Sequence, residues 1–444
     1  MEFPDSEIID GVLDSIRFPR FLDVRYDPET PQCEDVDARA RTEADRLLDS
    51  YDGGDSDRAD GDHGDSGIPE GGTIAIGLGS RGITDILPVA RATIEAVRAR
   101  GFEPVIVPAM GSHGGATPEG QVETLAGLGL TEENLECAID PRMETIELRS
   151  EGESVHFAQA AREADAVLAV NRIKPHTNFE GHFESGLTKM FAVGLGKQAG
   201  ARAIHERALT EGYVPVIAEA LETIQREIPV IGGLAIIENR REEIATIEAL
   251  ASRDLPDGEQ VLLDRAREYM PTLPFSSLDA LIVERIGKDV SGTGVDTNVI
   301  GRYRVLNAED PASPEIDRIC VLGLTEATHG NGMGIGLADV TTTLVANAID
   351  FEQVYANALT SSSLAKASLP VALPTDEQAV TAALTSVGTY DPEKSEVAWI
   401  RDSSHLSSFR ISEVLADRLP AEAEIVGRSE LTFEDGEPNF ESIE

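Results

Sequence analysis

Residues 73–110 read TIAIGLGSRGITDILPVARATIEAVRARGFEPVIVPAM. The run 73–78 is short and apolar, 83–100 carries apolar residues at helical spacing, and 104–110 (PVIVPAM) is apolar again. A buried strand, an amphipathic helix and a second buried strand predict a βαβ unit with parallel strands. The alternation continues outward. Thr117-Pro118 supplies an N-cap and a first-turn proline for a further helix. ADAVLAVNRIK (164–174) and PVIGGLAII (229–237) read as strands, and 214–227 and 258–269 as helices. Pro271 and Pro274 then break the pattern, and DALIVER (279–285), RICVLGL (318–324), a helix near 337–349 and EVAWIRD (396–402) open a second region. The prediction is therefore the α/β class, with an N-terminal domain over 1–272 and a C-terminal one over 273–444. Both are expected to hold mainly parallel sheets, with the active site in the cleft between them. Residues 51–72, acidic, Gly-rich and nearly free of large apolar side chains, read as a disordered insertion.

Composition narrows the function classes. Hydrophobic residues make up 41% and aromatics 5%, so the cores are aliphatic. No run of about 18 apolar residues occurs, and the first residues, MEFPDSEIIDG, lack a signal peptide's basic and apolar regions. A cytoplasmic protein with no membrane partner is expected. The formal charge of −43 would repel a duplex, so no nucleic-acid partner is expected either. Cys33, Cys137 and Cys320 are scattered and form no CxxC pair, which fits structural thiols in a reducing interior. The dense acid and the scarcity of lysine resemble cytoplasmic proteins of salt-loving archaea. Only Lys174, Lys189, Lys197, Lys288, Lys366 and Lys394 occur, and three of these six lie between 174 and 197. A surface that avoids lysine makes that concentration informative.

Four loops at strand ends carry unusual residues. Gly77-Leu78-Gly79-Ser80-Arg81-Gly82 matches GxGxxG before a helix, which opens a dinucleotide reading. The next strand ends without the acidic residue that would hold a ribose, and a simpler anion site with Arg81 as a bidentate contact is equally open. Gly111-Ser112-His113-Gly114-Gly115 places a histidine among glycines. The run 171–190, NRIKPHTNFEGHFESGLTKM, gathers two histidines, two lysines, an arginine and two carboxylates behind one buried strand, and His205 follows on a predicted helix. Gly287-Lys288-Asp289 and Thr328-His329-Gly330 form the fourth group, in the second region. His176 and His182 with Glu180 or Glu184 would be a zinc or iron set of no standard spacing. There is no GxSxG elbow, and VGLGKQ lacks the first glycine and the Ser/Thr of a P-loop.

On the GSRG and AMGSHGG loops, the block NRIKPHTNFEGHFESGLTKM with VGLGK, and the stretches DVSGTGVDTNVIGR and THGNGMGIGLADVTT, the chain resembles the lactate racemase family across roughly 73–350. That resemblance implies a racemase or epimerase of a 2-hydroxy acid, lactate-like or sugar-acid-like. It also implies a nickel-pincer nucleotide, a pyridinium mononucleotide whose thioamide joins a lysine and whose two sulfurs and ring carbon hold nickel. Lys189 would carry it, His205 would be the fourth nickel ligand, and Gly79, Ser80 and Ser112 would contact it. His113 and His176 would be the acid/base pair, Arg81 the substrate-anchoring cation and Lys288 a further group near substrate or cofactor. Cofactor-synthesis proteins would be partners. Lys189 and His205 stand 16 apart, as the family pattern requires, whereas the 13 from His176 to Lys189 exceed the interval in characterised lactate racemases. His182 lies inside that interval, so the second acid/base is His176 or His182. An NAD-dependent dehydrogenase using the GLGSRG loop and a catalytically silent nucleotide- or metal-binding relative are the alternatives.

The charge carries a prediction of its own. Self-repulsion at −43 opposes folding at low ionic strength, and salt screens it. The thermal unfolding midpoint should rise between ~0.1 M and ~2 M KCl, as the Debye length falls from about 10 Å to below about 3 Å; a flat or falling midpoint would contradict this.

Overall fold

The structure, a computed structural model, describes residues 3–51, 67–80, 82–150, 153–306 and 308–443. Most of the expected acidic insertion and all of Arg81 lie outside the described residues. The chain has an α/β fold in two compact units. A central unit comprises Thr30–His176 and Glu180–Met270, and a terminal unit comprises Met1–Glu29, Thr177–Phe179 and Pro271–Glu444.

The first strand, β1 (Arg20–Tyr26), belongs to the terminal unit. The central unit holds β2 (Thr73–Leu78), β3 (Glu103–Pro108), β4 (Thr145–Ser150), β5 (Glu153–Ala158), β6 (Ala166–Arg172), β7 (Val230–Glu238) and β8 (Ile244–Ala251). Its main sheet runs β3-β2-β6-β7-β8, parallel except for β8, while β4 and β5 form a separate antiparallel hairpin. Parallel strands are covered on both faces, and β2 shows it: Ile74, Ala75, Ile76 and Leu78 are all fully buried. Val89, Ile94 and Val97 of the helix Ile86–Ala99 pack in the same core as Ile74, Ile76, Ile106, Leu168 and Leu234. That helix starts three residues later than the expected Ile83. Asp85 takes a left-handed φ of 55°, and the Thr84 N–H donates to the Glu238 carboxylate (3.0 Å), so 83–85 are held as loop. Thr117 caps its helix as expected: its hydroxyl accepts from Gly120 N (3.1 Å) and Pro118 stands at the first position.

The terminal unit adds β9 (Ser277–Val283), β10 (Glu315–Val321), β11 (Val340–Thr342), β12 (Val371–Leu373), β13 (Val397–Ile400), β14 (Ser408–Ser412), β15 (Ala423–Glu434) and β16 (Glu437–Ser442). Their sheet runs β12-β11-β10-β9-β13-β14-β1-β15-β16. It is parallel from β12 to β13 and antiparallel beyond. The helix expected near 337–349 is shorter, Thr343–Ala348, because Val340 and Thr341 extend to pair with Cys320 and Val321. Thr342 then accepts from Val345 N (3.2 Å) as the cap. Cys137 and Cys320 are buried free thiols and Cys33 is half-buried. Among the described residues no helix is long and apolar enough to cross a membrane.

Strand β1, in a segment read from the sequence as part of the N-terminal domain, instead belongs to the terminal sheet, where it lies between β14 and β15. Its side chains serve both faces at a period of two. Leu22 and Val24 join one core cluster, while Phe21 joins another with Trp399 and meets Trp399 and Phe440 edge-on, at 6.4 and 5.5 Å between ring centroids. Phe21→Ala should therefore cost about 3–5 kcal/mol in urea unfolding at high salt. A loss below about 1 kcal/mol would show that the strand is peripheral to the sheet.

Candidate active site

Strand β6 feeds the densest loop of the chain. Lys174 and Ser185 close its neck with two backbone hydrogen bonds, Lys174 N to Ser185 O (2.9 Å) and Ser185 N to Lys174 O (3.1 Å). Inside the neck, the Glu184 carboxylate is wholly buried and accepts from His176 N (2.5 Å), Gly181 N (3.1 Å) and the Arg267 guanidinium (2.5 Å). Burial pushes its carboxyl above the usual carboxylate range, against the opposing pull of the His176 N–H and Arg267. Glu184 thus holds the His176 backbone and is committed to amides and a guanidinium. Glu180 and His182 are exposed, the latter edge-on to Phe183 at 4.8 Å. Among the described residues no three His, Cys, Asp or Glu side chains converge on a metal position, so the zinc or iron set weighed from the sequence does not form.

Past the neck, Leu187–Lys189 makes one helical turn and Met190–Gly194 widens into a π-helical turn before the helix Lys197–Glu211. Glu259, 1% exposed, reaches from the helix Asp257–Tyr269 to accept from Leu187 N (2.5 Å) and Thr188 N (3.0 Å). Burial raises its carboxyl as well. The turn so pinned carries Lys189, whose amine donates to His176 Nε2. His205, half-buried on the following helix, sets its Nδ1 3.3 Å from the Tyr213 hydroxyl, with the rings 5.8 Å apart and nearly perpendicular. Burial first, then the charge of Lys189, pushes the His205 imidazole down to about 4. Its ring is therefore neutral at pH 7, the form in which a nitrogen lone pair can bind a metal. Tyr213 also lies 6.4 Å from the His176 ring, and burial raises its phenol. The structure thus brings His176, Lys189 and His205 together, with Tyr213 beside them.

The loops after β2 and β3 form a second group. His113 Nδ1 and Ser80 Oγ are hydrogen-bonded at 2.5 Å, and Ser112 next to them is exposed. The β2 loop lies close to the lysine turn: a Cβ at Gly79 would stand 3.1 Å from Met190 Cε and 3.4 Å from Asn171 Oδ1. Asn171 Nδ2 in turn donates to Gly186 O (3.0 Å). The β3 loop is equally close, with Gly111 N donating to Gly194 O (3.0 Å). Gly79 and Gly82 do not form the dinucleotide fingerprint, in which the helix opens within the glycine motif; here the helix begins at Ile86. Lys288 belongs to the terminal unit, where its Nζ donates to Gly292 O (2.6 Å) and its N–H to Thr328 Oγ1 (3.1 Å).

Sequence reasoning passed over Tyr213, Asn171, Gln121 and Glu259 as site residues. For Glu259 a signal existed. It stands at the head of the buried stripe Glu259, Leu262, Leu263, Ala266, an acid in an apolar position of an amphipathic helix.

No protein-family profile matches this chain, and no curated protein matches it. Among solved structures it is similar to the lactate racemase apoprotein from Thermoanaerobacterium thermosaccharolyticum, at 14% identity and a TM-score of 0.45 over 83% of this chain and 86% of that one.

The Glu184–Arg267 pair yields a stability prediction. Removing the guanidinium strands a buried carboxylate, so Arg267→Ala should lower the unfolding free energy by about 3 kcal/mol. Arg202→Ala, which breaks an exposed pair with Glu206 in the same unit, should cost less than about 0.5 kcal/mol. Equal losses in the two variants, read by denaturant titration, would contradict the role given to Glu184.

Proposed function

We propose that the chain is a racemase or epimerase of a 2-hydroxy acid, lactate-like or sugar-acid-like, that works with a nickel-pincer mononucleotide tethered to Lys189. One observation carries the reading: the Lys189 amine meets the His176 ring, and His205 stands on the next helix with its Nδ1 at the Tyr213 hydroxyl.

The residues fit the group. His205 would give the metal one nitrogen, and the group would have to bring most of the other ligands with it. The pincer does so through two sulfurs and a carbon. Lys189 would hold the nucleotide by its thioamide and His205 would be the fourth ligand. Tyr213 at Nδ1 leaves Nε2 for the metal. Gly79, Ser80 and Ser112 would contact the nucleotide, with Gly79 allowing the β2 backbone close to the Lys189 turn. When bound, the group supplies a hydride-accepting centre, which is what inversion of a hydroxyl-bearing carbon through a flat ketone requires.

The chain's own residues do the rest. A base must take the hydroxyl proton on one face and an acid must return it on the other. An unperturbed imidazole titrates near neutrality and serves both directions, and His113 and His176 take these roles. Ser80 holds the His113 ring at Nδ1. Glu184 fixes the backbone from which His176 projects. Arg81 is assigned to the substrate carboxylate, which a guanidinium binds bidentately, with Lys288 as a further cation. A cytoplasmic enzyme dependent on cofactor-synthesis proteins completes the reading.

Four substitutions and one control separate the roles, scored by racemisation of a panel of 2-hydroxy acids and by nickel per chain. Lys189→Ala should abolish turnover, while His205→Ala should keep the lysine available and lose nickel on dialysis. His113→Ala and His176→Ala should retain nickel and lose about 10²–10⁴ in rate each. His182→Ala, the control, should be the mildest. Full turnover in Lys189→Ala would end the proposal.

A further inference from the structure

Lys197 plays no part in that chemistry, yet it is the most unusual cation of the central unit. It is fully buried and takes a left-handed φ of 53° as the first residue of the helix Lys197–Glu211. Burial lowers its amine to about 8. Its Nζ donates to Pro108 O (2.7 Å), the last carbonyl of β3, and to Gln121 Oε1 (3.1 Å). Gln121 is equally buried and its Nε2 donates to Gly111 O (3.1 Å). Gly111 N donates to Gly194 O. The turn 108–111 is therefore pinned at three backbone atoms by groups without solvent access. The residue that emerges from it, His113, is exposed and bonded to Ser80.

Burying an amine is expensive, and an apolar residue would serve better for packing alone. What an apolar residue lacks is a donor for two acceptors at once. We infer that Lys197 is the positioning residue for His113: with Gln121 it fixes the turn after β3 so that the imidazole is held at Ser80. The catalytic meaning of this rests on the acid/base role proposed for His113, but the positioning itself does not. The two therefore fail separately.

The test reads the imidazole directly, in the full chain at high salt and without substrate. Carbethoxylation of each histidine by diethylpyrocarbonate is timed by peptide mass spectrometry in the wild type, in Lys197→Met, which keeps length and burial but removes the donor, and in Gln121→Leu. Loss of an anchoring hydrogen bond should free the ring from Ser80 and raise the His113 rate roughly fivefold in either variant. His182 and His205 should keep their rates, which a general loosening of the unit would not allow. An unchanged His113 rate in a folded variant overturns the inference. So does a parallel rise at all three histidines, or the failure of both variants to fold, because the amine then supports the whole unit and not this turn.

Discussion

The close approach of the turn after β3 to Gly194 is the contact on which the rest of the site depends. A Cβ at Gly194 would stand 2.6 Å from Ala109 O, so no other residue lets the two backbones meet there. Gly111 completes the fit with a left-handed φ of 58° and its N–H on Gly194 O. Gly194 is itself the last residue of the π-helical turn, a departure from α geometry that tends to occur at functional sites. Lys189 precedes that turn and His205 follows it on the next helix. One short segment therefore sets the relative places of the amine, the neutral imidazole and the loop that carries His113.

Around this contact the protein places buried charges where apolar residues would be cheaper. Glu184 and Glu259 are carboxylates with almost no solvent, each satisfied by backbone N–H groups. Lys197 is an amine satisfied by a carbonyl and an amide oxygen. Buried ions rarely add net stability, but each has directional demands that a methyl group lacks. Their acceptors and donors here are the backbones of His176, of the Lys189 turn and of the His113 turn. These are the three segments that carry the residues to which the proposed function assigns proton exchange and cofactor attachment.

The parallel core was legible because its strands are buried on both faces and its first helix is amphipathic; β2, its helix and β3 follow from 73–110 alone. Strand β1 was not, since RFLDVRY is short, half polar and 387 residues from one of its partners in sequence, as Asp23 lies opposite Arg410. Its place depends on non-local pairing that local pattern does not encode. The rarity of lysine was a useful guide to the site, and Lys197 and Lys366 are indeed fully buried. It is not a strict rule, because Lys394 is 82% exposed in a pair with Asp391. His176 and His182 differ in their surroundings in a way that only tertiary structure shows. A 13-residue interval leaves both within reach, whereas the fold sets His176 against the Lys189 amine and leaves His182 exposed on Phe183. The π-helical turn has no sequence signature of its own.

The central claim is that the Lys189 amine is an attachment point. The most direct measurement is the mass of the Lys189 peptide from wild-type protein, purified at high salt from nickel-supplied cells that contain the cofactor-synthesis proteins, with nickel determined on the same sample. The account predicts a covalent addition of nucleotide mass on Lys189 and one nickel per modified chain. An unmodified Lys189 in protein that racemises a 2-hydroxy acid would contradict it.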